Sequence, residues 1–148
     1  MNKKVVYGGI AGGVGCLALL IVLAAAAGGW YYFNEQRKQN ERYAIQGLQN
    51  IADAENNFFF KKLNFRYATY AELKSAGLLN SYGDWLGDGS RGYRVKIQIQ
   101  DAAWTATAEP NSYGFFDGYR SFVVTGDGKV HGRNGAGATL NDPVVSPY

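Results

Sequence analysis

From Val5 to Phe33 the chain runs for 29 residues without a single Asp, Glu, Lys or Arg. A helix that crosses a bilayer core needs about 20 predominantly apolar residues. The run is therefore long enough to span, and Lys3 and Lys4 bound it on one side. On the other side Trp30, Tyr31, Tyr32 and Phe33 form an aromatic cluster of the kind that sits at a lipid–water boundary. A four-residue amino-terminal tail is easily left in the cytoplasm. The expected arrangement is a single-pass anchor over residues 1–33 with the carboxy-terminal part outside the cytoplasm.

The segment "YGGIAGGVGC" places glycines at 8, 9, 12, 13 and 15 inside that run, and three other readings compete for them. A phosphate-binding loop needs a strand before it and a helix after it, and only six residues precede Gly8. No Lys-Ser or Lys-Thr follows. A lipoprotein signal needs its apolar segment before the cysteine, whereas "LALLIVLAAAA" follows Cys16. A cleaved signal peptide has small-residue sites in "AAAAGGW", but its apolar core is about 7 to 15 residues, shorter than this run. In lipid, Gly8 with Gly12 and Gly9 with Gly13 each form a G-x-x-x-G spacing, which Ala11 and Gly15 extend. Such a face lets a second helix approach closely. Glycine is also common in membrane helices that make no such contact, so the spacing admits both readings.

Beyond the anchor about 115 residues remain, enough for one small domain with a modest core. Of 15 Lys and Arg, only Lys3 and Lys4 precede Asn34, so the outer part is close to neutral. It has no basic field for nucleic acid. The single cysteine lies in the apolar run, so no internal disulfide can form.

After Phe33, the segment "NEQRKQNERYAIQGLQNIADAENNFFF" contains no proline and one glycine, Gly47. Ala44, Ile45, Leu48, Ile51, Ala52, Phe58 and Phe59 recur at helical spacing. The spacing predicts that the anchor helix continues over 34–60, with its stripe from 44 to 60 facing a core. Gly28-Gly29 is the expected bend. Glu55 falls seven residues after Leu48, on the apolar side. It is read as an edge position whose carboxylate reaches water, an Arg or a Lys.

"YATYAELKSAGLL" predicts a short helix capped by Thr69, with Glu72 as its capping-box partner and Gly77 closing it. "NSYGDWLGDGSRG" reads as a loop rich in turn formers. In "GYRVKIQIQ", Tyr93, Val95, Ile97 and Ile99 alternate with Arg94, Lys96, Gln98 and Gln100, the clearest strand signal in the chain. "WTATAEP", "YRSFVVT" and a short "KVH" after a Gly-Asp-Gly turn complete a meander of three long strands and one short one. The expected class is α+β: a long amino-terminal transmembrane and amphipathic helix packed on a small antiparallel sheet of three to four strands. The αβ domain covers 61–131 and is completed by helix 44–60, and 132–148 is a loop-like tail.

The order of these segments resembles type IV pilins and pseudopilins. The likeness is carried by "AIQGLQNIADAENNFFFKKLNFRYATYAELKSAGLL" (Ala44 to Leu79), "GYRVKIQIQ", "WTATAEP" and "GYRSFVVTGDGKVH", together spanning Ala44 to His131. It implies a pilin-like outer fold and a place in the bacterial envelope, at the inner membrane. It also implies lateral packing with copies or other pilin-like subunits through the amino-terminal helix. The chain departs from the family at its start. Pilins carry a Glu at the fifth mature position, and here no Glu precedes Glu35.

Chemistry is sparse. With one histidine, His131, and one cysteine in the apolar run, neither a zinc set nor a nucleophile–histidine pair can be built. No cofactor is expected, and His131 is read as a surface residue. Asp84, Asp88 and Asp127 sit beside glycines without calcium-loop spacing, which favours turns. Lys61, Lys62 and Arg66 lie among Phe58, Phe59, Phe60, Phe65, Tyr67 and Tyr70. Aromatic residues at helical spacing fill cores more often than they stack on bases. Two functional classes remain. One is a structural subunit that uses Gly8, Gly9, Gly12, Gly13 and Gly15 for helix contacts in the bilayer. The other is an anchored binding module that uses Arg94, Lys96, Gln98 and Gln100, or the segment from Ser81 to Gly92.

Overall fold

The computed structural model describes residues 8–61, 65–114 and 116–147, with side chains from Leu19 onward and without that of Lys61. The chain divides into two compact units, Met1–Glu35 and Gln36–Tyr148. In the first, Leu19, Leu20, Ile21, Val22, Leu23, Trp30, Tyr31 and Tyr32 are all exposed. Among the described residues no helix is long and apolar enough to cross a membrane. The expected span lies partly outside those residues, and so do the side-chain surroundings of Gly8, Gly9, Gly12, Gly13 and Gly15.

One helix, α1, runs from Gly8 to Asn56, 49 residues, and continues through Gly28 and Gly29. In the second unit its stripe of Ala44, Ile45, Leu48, Ile51 and Ala52 is buried, as the helical spacing predicts. It packs with Tyr93, Trp104, Phe122 and Val124 from the sheet. Burying each large aliphatic side chain of this kind contributes about 1.5–3 kcal/mol. Gly47 marks a close approach: a Cβ there would lie 2.9 Å from Leu86 and from the Tyr82 carbonyl.

At its end α1 widens into a π-helical turn, Asn57–Lys61. Three successive phenylalanines on this turn meet different environments. Phe58 is buried, Phe59 half-buried and Phe60 exposed. α2 (Tyr70–Ser75) has the expected capping box between Thr69 and Glu72, and Gly77 follows it with φ +67°.

The segment expected to be a loop is a helix, α3 (Ser81–Asp88). Asn80 caps its start by accepting from Tyr82 N and Gly83 N, and Gly89 ends it in the left-handed region at φ +75°. Two of the glycines that suggested turns, Gly83 and Gly87, serve packing instead. A Cβ on Gly87 would collide with the Tyr70 ring, and one on Gly83 with the Asn50 side chain.

The four strands are β1 (Tyr93–Gln100), β2 (Ala103–Pro110), β3 (Arg120–Val124) and β4 (His131–Asn134). They form one antiparallel sheet in the order β1-β2-β3-β4. β4 starts at His131, where the short strand was expected to end, and Val130 just before it is buried. The expected domain end at 131 thus falls inside β4. The residues after β4 form no helix, yet they are tied down. Gly132 N donates to Pro143 O at 3.0 Å and Val145 N to Val130 O at 2.8 Å, so 143–145 lie along the outer edge of β4. The Ser121 hydroxyl donates to Gly135 O and accepts from Ala138 N. The fold is α+β, with a long amino-terminal helix packed on a four-stranded antiparallel sheet. It is compatible with the pilin-like architecture that the resemblance implies.

Candidate functional site

β1 and β2 pair along their whole length, from Tyr93 opposite Pro110 to Gln100 opposite Ala103. Alternation then separates two faces. Tyr93, Val95 and Ile97 turn towards the core with Trp104, Ala106 and Ala108. Arg94, Lys96, Gln98 and Gln100 all lie on the opposite face and all are exposed. The candidate binding residues are therefore brought together as the period-two pattern predicts. Thr105, Thr107 and Glu109 of β2 join them, with Glu109 directly across from Arg94.

Two open grooves mark this face. One of about 330 Å³ is bordered by Arg94, Lys96, Gln98, Thr107 and Glu109. The other, of about 450 Å³, starts at Gln98 and continues past Gln100 to the turn at Asp101 and Ala102. The lining is mixed: two cations, the carboxylates of Glu109 and Asp101, and amide and hydroxyl groups lie beside Val95, Ala102, Ala103 and Trp104. It can offer hydrogen bonds to an extended polar partner, but no nucleophile or general base pair. The same face over β3 is closed, since Ser121 and Val123 lie beneath the carboxy-terminal residues.

The second candidate, Ser81 to Gly92, builds an aromatic cluster on α3. Tyr82 stacks on Tyr43 at 5.8 Å between centroids, and Trp85 meets both rings edge-on. Arg91 lies over Trp85 at 4.6 Å and over Tyr43 at 5.3 Å. These contacts are satisfied within the domain.

The basic and aromatic group after α1 is also mostly self-contained. Arg66 pairs with Glu72 at 2.6 Å and lies over the Phe58 ring at 5.3 Å. That bond, then the Thr69 backbone and hydroxyl, hold the Glu72 carboxyl down at about 2. Phe59 packs against Phe60, Phe65 and Tyr67. Lys62 lies outside the described residues. Of the three aspartates beside glycines, Asp88 and Asp127 accept from backbone N–H groups two residues on, and Asp84 pairs with Lys74 at 3.2 Å. Among the described residues no three His, Cys, Asp or Glu side chains could hold a metal ion. His131 is half-buried, and its Nδ1 lies 2.6 Å from Asp142 O. A carbonyl only accepts, so Nδ1 carries the proton and pins the tail.

Glu55 departs most from the sequence reading. Its side chain is fully buried and not at an edge. Oε2 accepts from Ala68 N at 2.9 Å, and Oε1 has no hydrogen-bond partner among the described residues. Burial pushes the carboxyl up to about 7, while the Ala68 N–H pulls in the other direction. With no exposure it meets no substrate; it holds the segment that leads into α2. Asn40, Glu41 and Asn50 act similarly on other loops. Asn40 donates to Asp117 O at 3.3 Å, Glu41 accepts from Tyr119 N at 3.4 Å, and Asn50 accepts from Asn80 N at 2.9 Å. Nothing in the spacing of these polar residues distinguishes them from a solvated helix face. For Glu55 the signal was its place one heptad after Leu48.

Comparison with protein-family models, curated proteins and solved structures finds no match.

Proposed function

We propose that this chain is a membrane-anchored, pilin-like structural protein of the bacterial envelope. Its αβ domain packs laterally with copies, or with subunits of a type IV pilus or type II secretion-like assembly. The observation that carries the reading is the continuity of two sequence signals. The charge-free run from Val5 to Phe33 passes, through Gly28-Gly29 and with no proline, into the stripe of Ala44, Ile45, Leu48 and Ile51. From Gly8 on both belong to α1, whose later part packs against a four-stranded sheet. On this reading the anchor lies in the inner membrane, and the short amino-terminal tail leaves the domain outside the cytoplasm.

Mechanical shearing of intact cells, followed by blotting, tests the reading. Recovery in the sheared supernatant is expected for an assembled surface filament. A second reading, an anchored module that binds a partner without assembling, is favoured by the open grooves beside Arg94, Lys96, Gln98 and Gln100. It is also favoured by the lack of any Glu before Glu35. Retention with the membrane selects it over the filament. A carboxy-terminal tag that resists protease added to the outer face overturns the orientation in both readings.

A further inference from the structure

The two edges of the sheet are treated differently. The outer edge of β4 is covered by residues 143–145. The outer edge of β1 has no strand beside it among the described residues. The identity of the free groups follows from one bond: Asn111 N donates to Gly92 O at 2.8 Å, in the same register that sets Tyr93 opposite Pro110. Residues 92, 94, 96, 98 and 100 therefore exchange hydrogen bonds with β2, and the N–H and C=O of Val95, Ile97 and Ile99 point outward. The side chains of these three residues lie on the core face but become less covered along the strand. Val95 and Ile97 are half-buried, and Ile99 is 42% exposed. An unpaired backbone edge beside a half-covered apolar row is a template for another strand.

We propose that this edge pairs antiparallel with β1 of a second copy, in the register that sets Ile97 opposite Ile97. The register follows from charge. In that alignment Val95 faces the second copy's Ile99, and both copies' outward N–H and C=O groups meet. Arg94 lies opposite Gln100, and Lys96 opposite Gln98. No like charges are opposed, and each cation faces an amide. A slip of one step in one direction sets Lys96 against Lys96, and the next step sets Arg94 against Lys96; like charges directly opposite destabilise a pair. A slip in the other direction carries Val95 onto Asp101, which has left the strand with φ +55°. A slip of odd count reverses the faces and puts Lys and Arg on the apolar side. The chosen alignment also continues the apolar row of Val95, Ile97 and Ile99 across the dyad, covering the exposed isoleucine. The result is one eight-stranded sheet from two copies. The inference goes beyond the envelope reading and does not depend on the anchor.

Disulfide trapping in the full chain tests it, with Cys16→Ser as background. Across a hydrogen-bonded antiparallel pair the Cα atoms are about 5.5 Å apart, and across the alternate pair about 4.5 Å. Both suit a disulfide. In the proposed register Val95 lies about 14 Å from its own copy. Under mild oxidant, Ile97→Cys is expected to form dimers at least tenfold faster than Val95→Cys or Ile99→Cys. A mixture of Lys96→Cys and Gln98→Cys chains, altered only on the exposed face, is expected to cross-link as readily as Ile97→Cys. Equal rates at 95, 97 and 99, together with no gain in the 96/98 mixture, would overturn the proposal. Gln98→Lys, which places a lysine opposite Lys96, is expected to weaken the dimer by light scattering, and Gln98→Glu to strengthen it. An unchanged distribution in both variants, or a monomer throughout, also overturns it.

Discussion

The carboxylate of Glu55 accepts the backbone N–H of Ala68 across thirteen residues of sequence, in a place water does not reach. One helix side chain thereby holds the backbone that leads into α2. Its effect on stability has a definite sign. Burial raises the carboxyl from 4.5 to about 7, so between these values the folded state holds a proton that the unfolded state has lost. The contribution is fully present below about pH 4.5 and is lost as pH rises through 7. Glu72 and Arg66 act on Glu55 in opposite directions and more weakly than burial. Denaturant midpoints followed by the fluorescence of buried Trp104 should therefore fall between pH 5 and pH 8, by roughly 1 to 3 kcal/mol in stability. Glu55→Gln should flatten that slope. A wild-type midpoint constant across the range would show that the carboxyl titrates normally.

Gly87→Ala should destabilise the domain by about 1 to 3 kcal/mol, because the added methyl collides with the Tyr70 ring. Tyr70 cannot simply swing away, as its hydroxyl donates to the Gly83 and Asp84 carbonyls. Gly126→Ala is the control: its methyl would meet only Trp104 Nε1, at an ordinary 3.7 Å. Thermal midpoints of the two variants should differ clearly, and equal values would mean that α3 has room to shift.

Thr69→Ala removes one half of the capping box and should cost about 1 kcal/mol. A readout specific to the cap accompanies it. The Glu72 carboxyl, held near 2 chiefly by Arg66 and then by Thr69, should titrate at a higher pH in the variant. A carboxyl carbon titration by NMR follows it directly, and an unmoved curve would leave Arg66 as the sole support.

Gly12→Ile should weaken association of the amino-terminal segment in a membrane two-hybrid assay if the G-x-x-x-G spacing forms a contact face. An unchanged signal assigns those glycines to no interface. This readout is separate from disulfide trapping at Ile97, so either surface can fail without the other.

Where periodicity was strong, the sequence was legible. The stripe at 44, 45, 48, 51 and 52 and the alternation from Tyr93 to Gln100 each describe one face of one element, and burial follows both. The capping box was readable because Thr69 and Glu72 act within one turn. What escaped depends on contacts distant in sequence. α3 looked like a loop because Gly83 and Gly87 are common in turns. Their role is to admit Asn50 and Tyr70, and no local pattern encodes that approach. Glu55 was seen to lie on the apolar side, but its partner, the Ala68 N–H, lies thirteen residues away in sequence. Arg94, Lys96, Gln98 and Gln100 were found together because a strand's alternation needs no tertiary information.

From one stretch of α1, Asn40 and Glu41 hold the backbone at 117–119, Asn50 holds that of Asn80, and Glu55 holds that of Ala68. A helix used this way is a spine on which three separate regions hang, so none of them gains its place from neighbours in sequence alone. Unravelling even two turns of it would release several regions together. Amide protons around residues 68, 80 and 119 should then exchange with solvent through the same opening event as those of the spine itself, with a shared free energy. The domain would come apart as one cooperative block, with little scope for peeling away loop by loop.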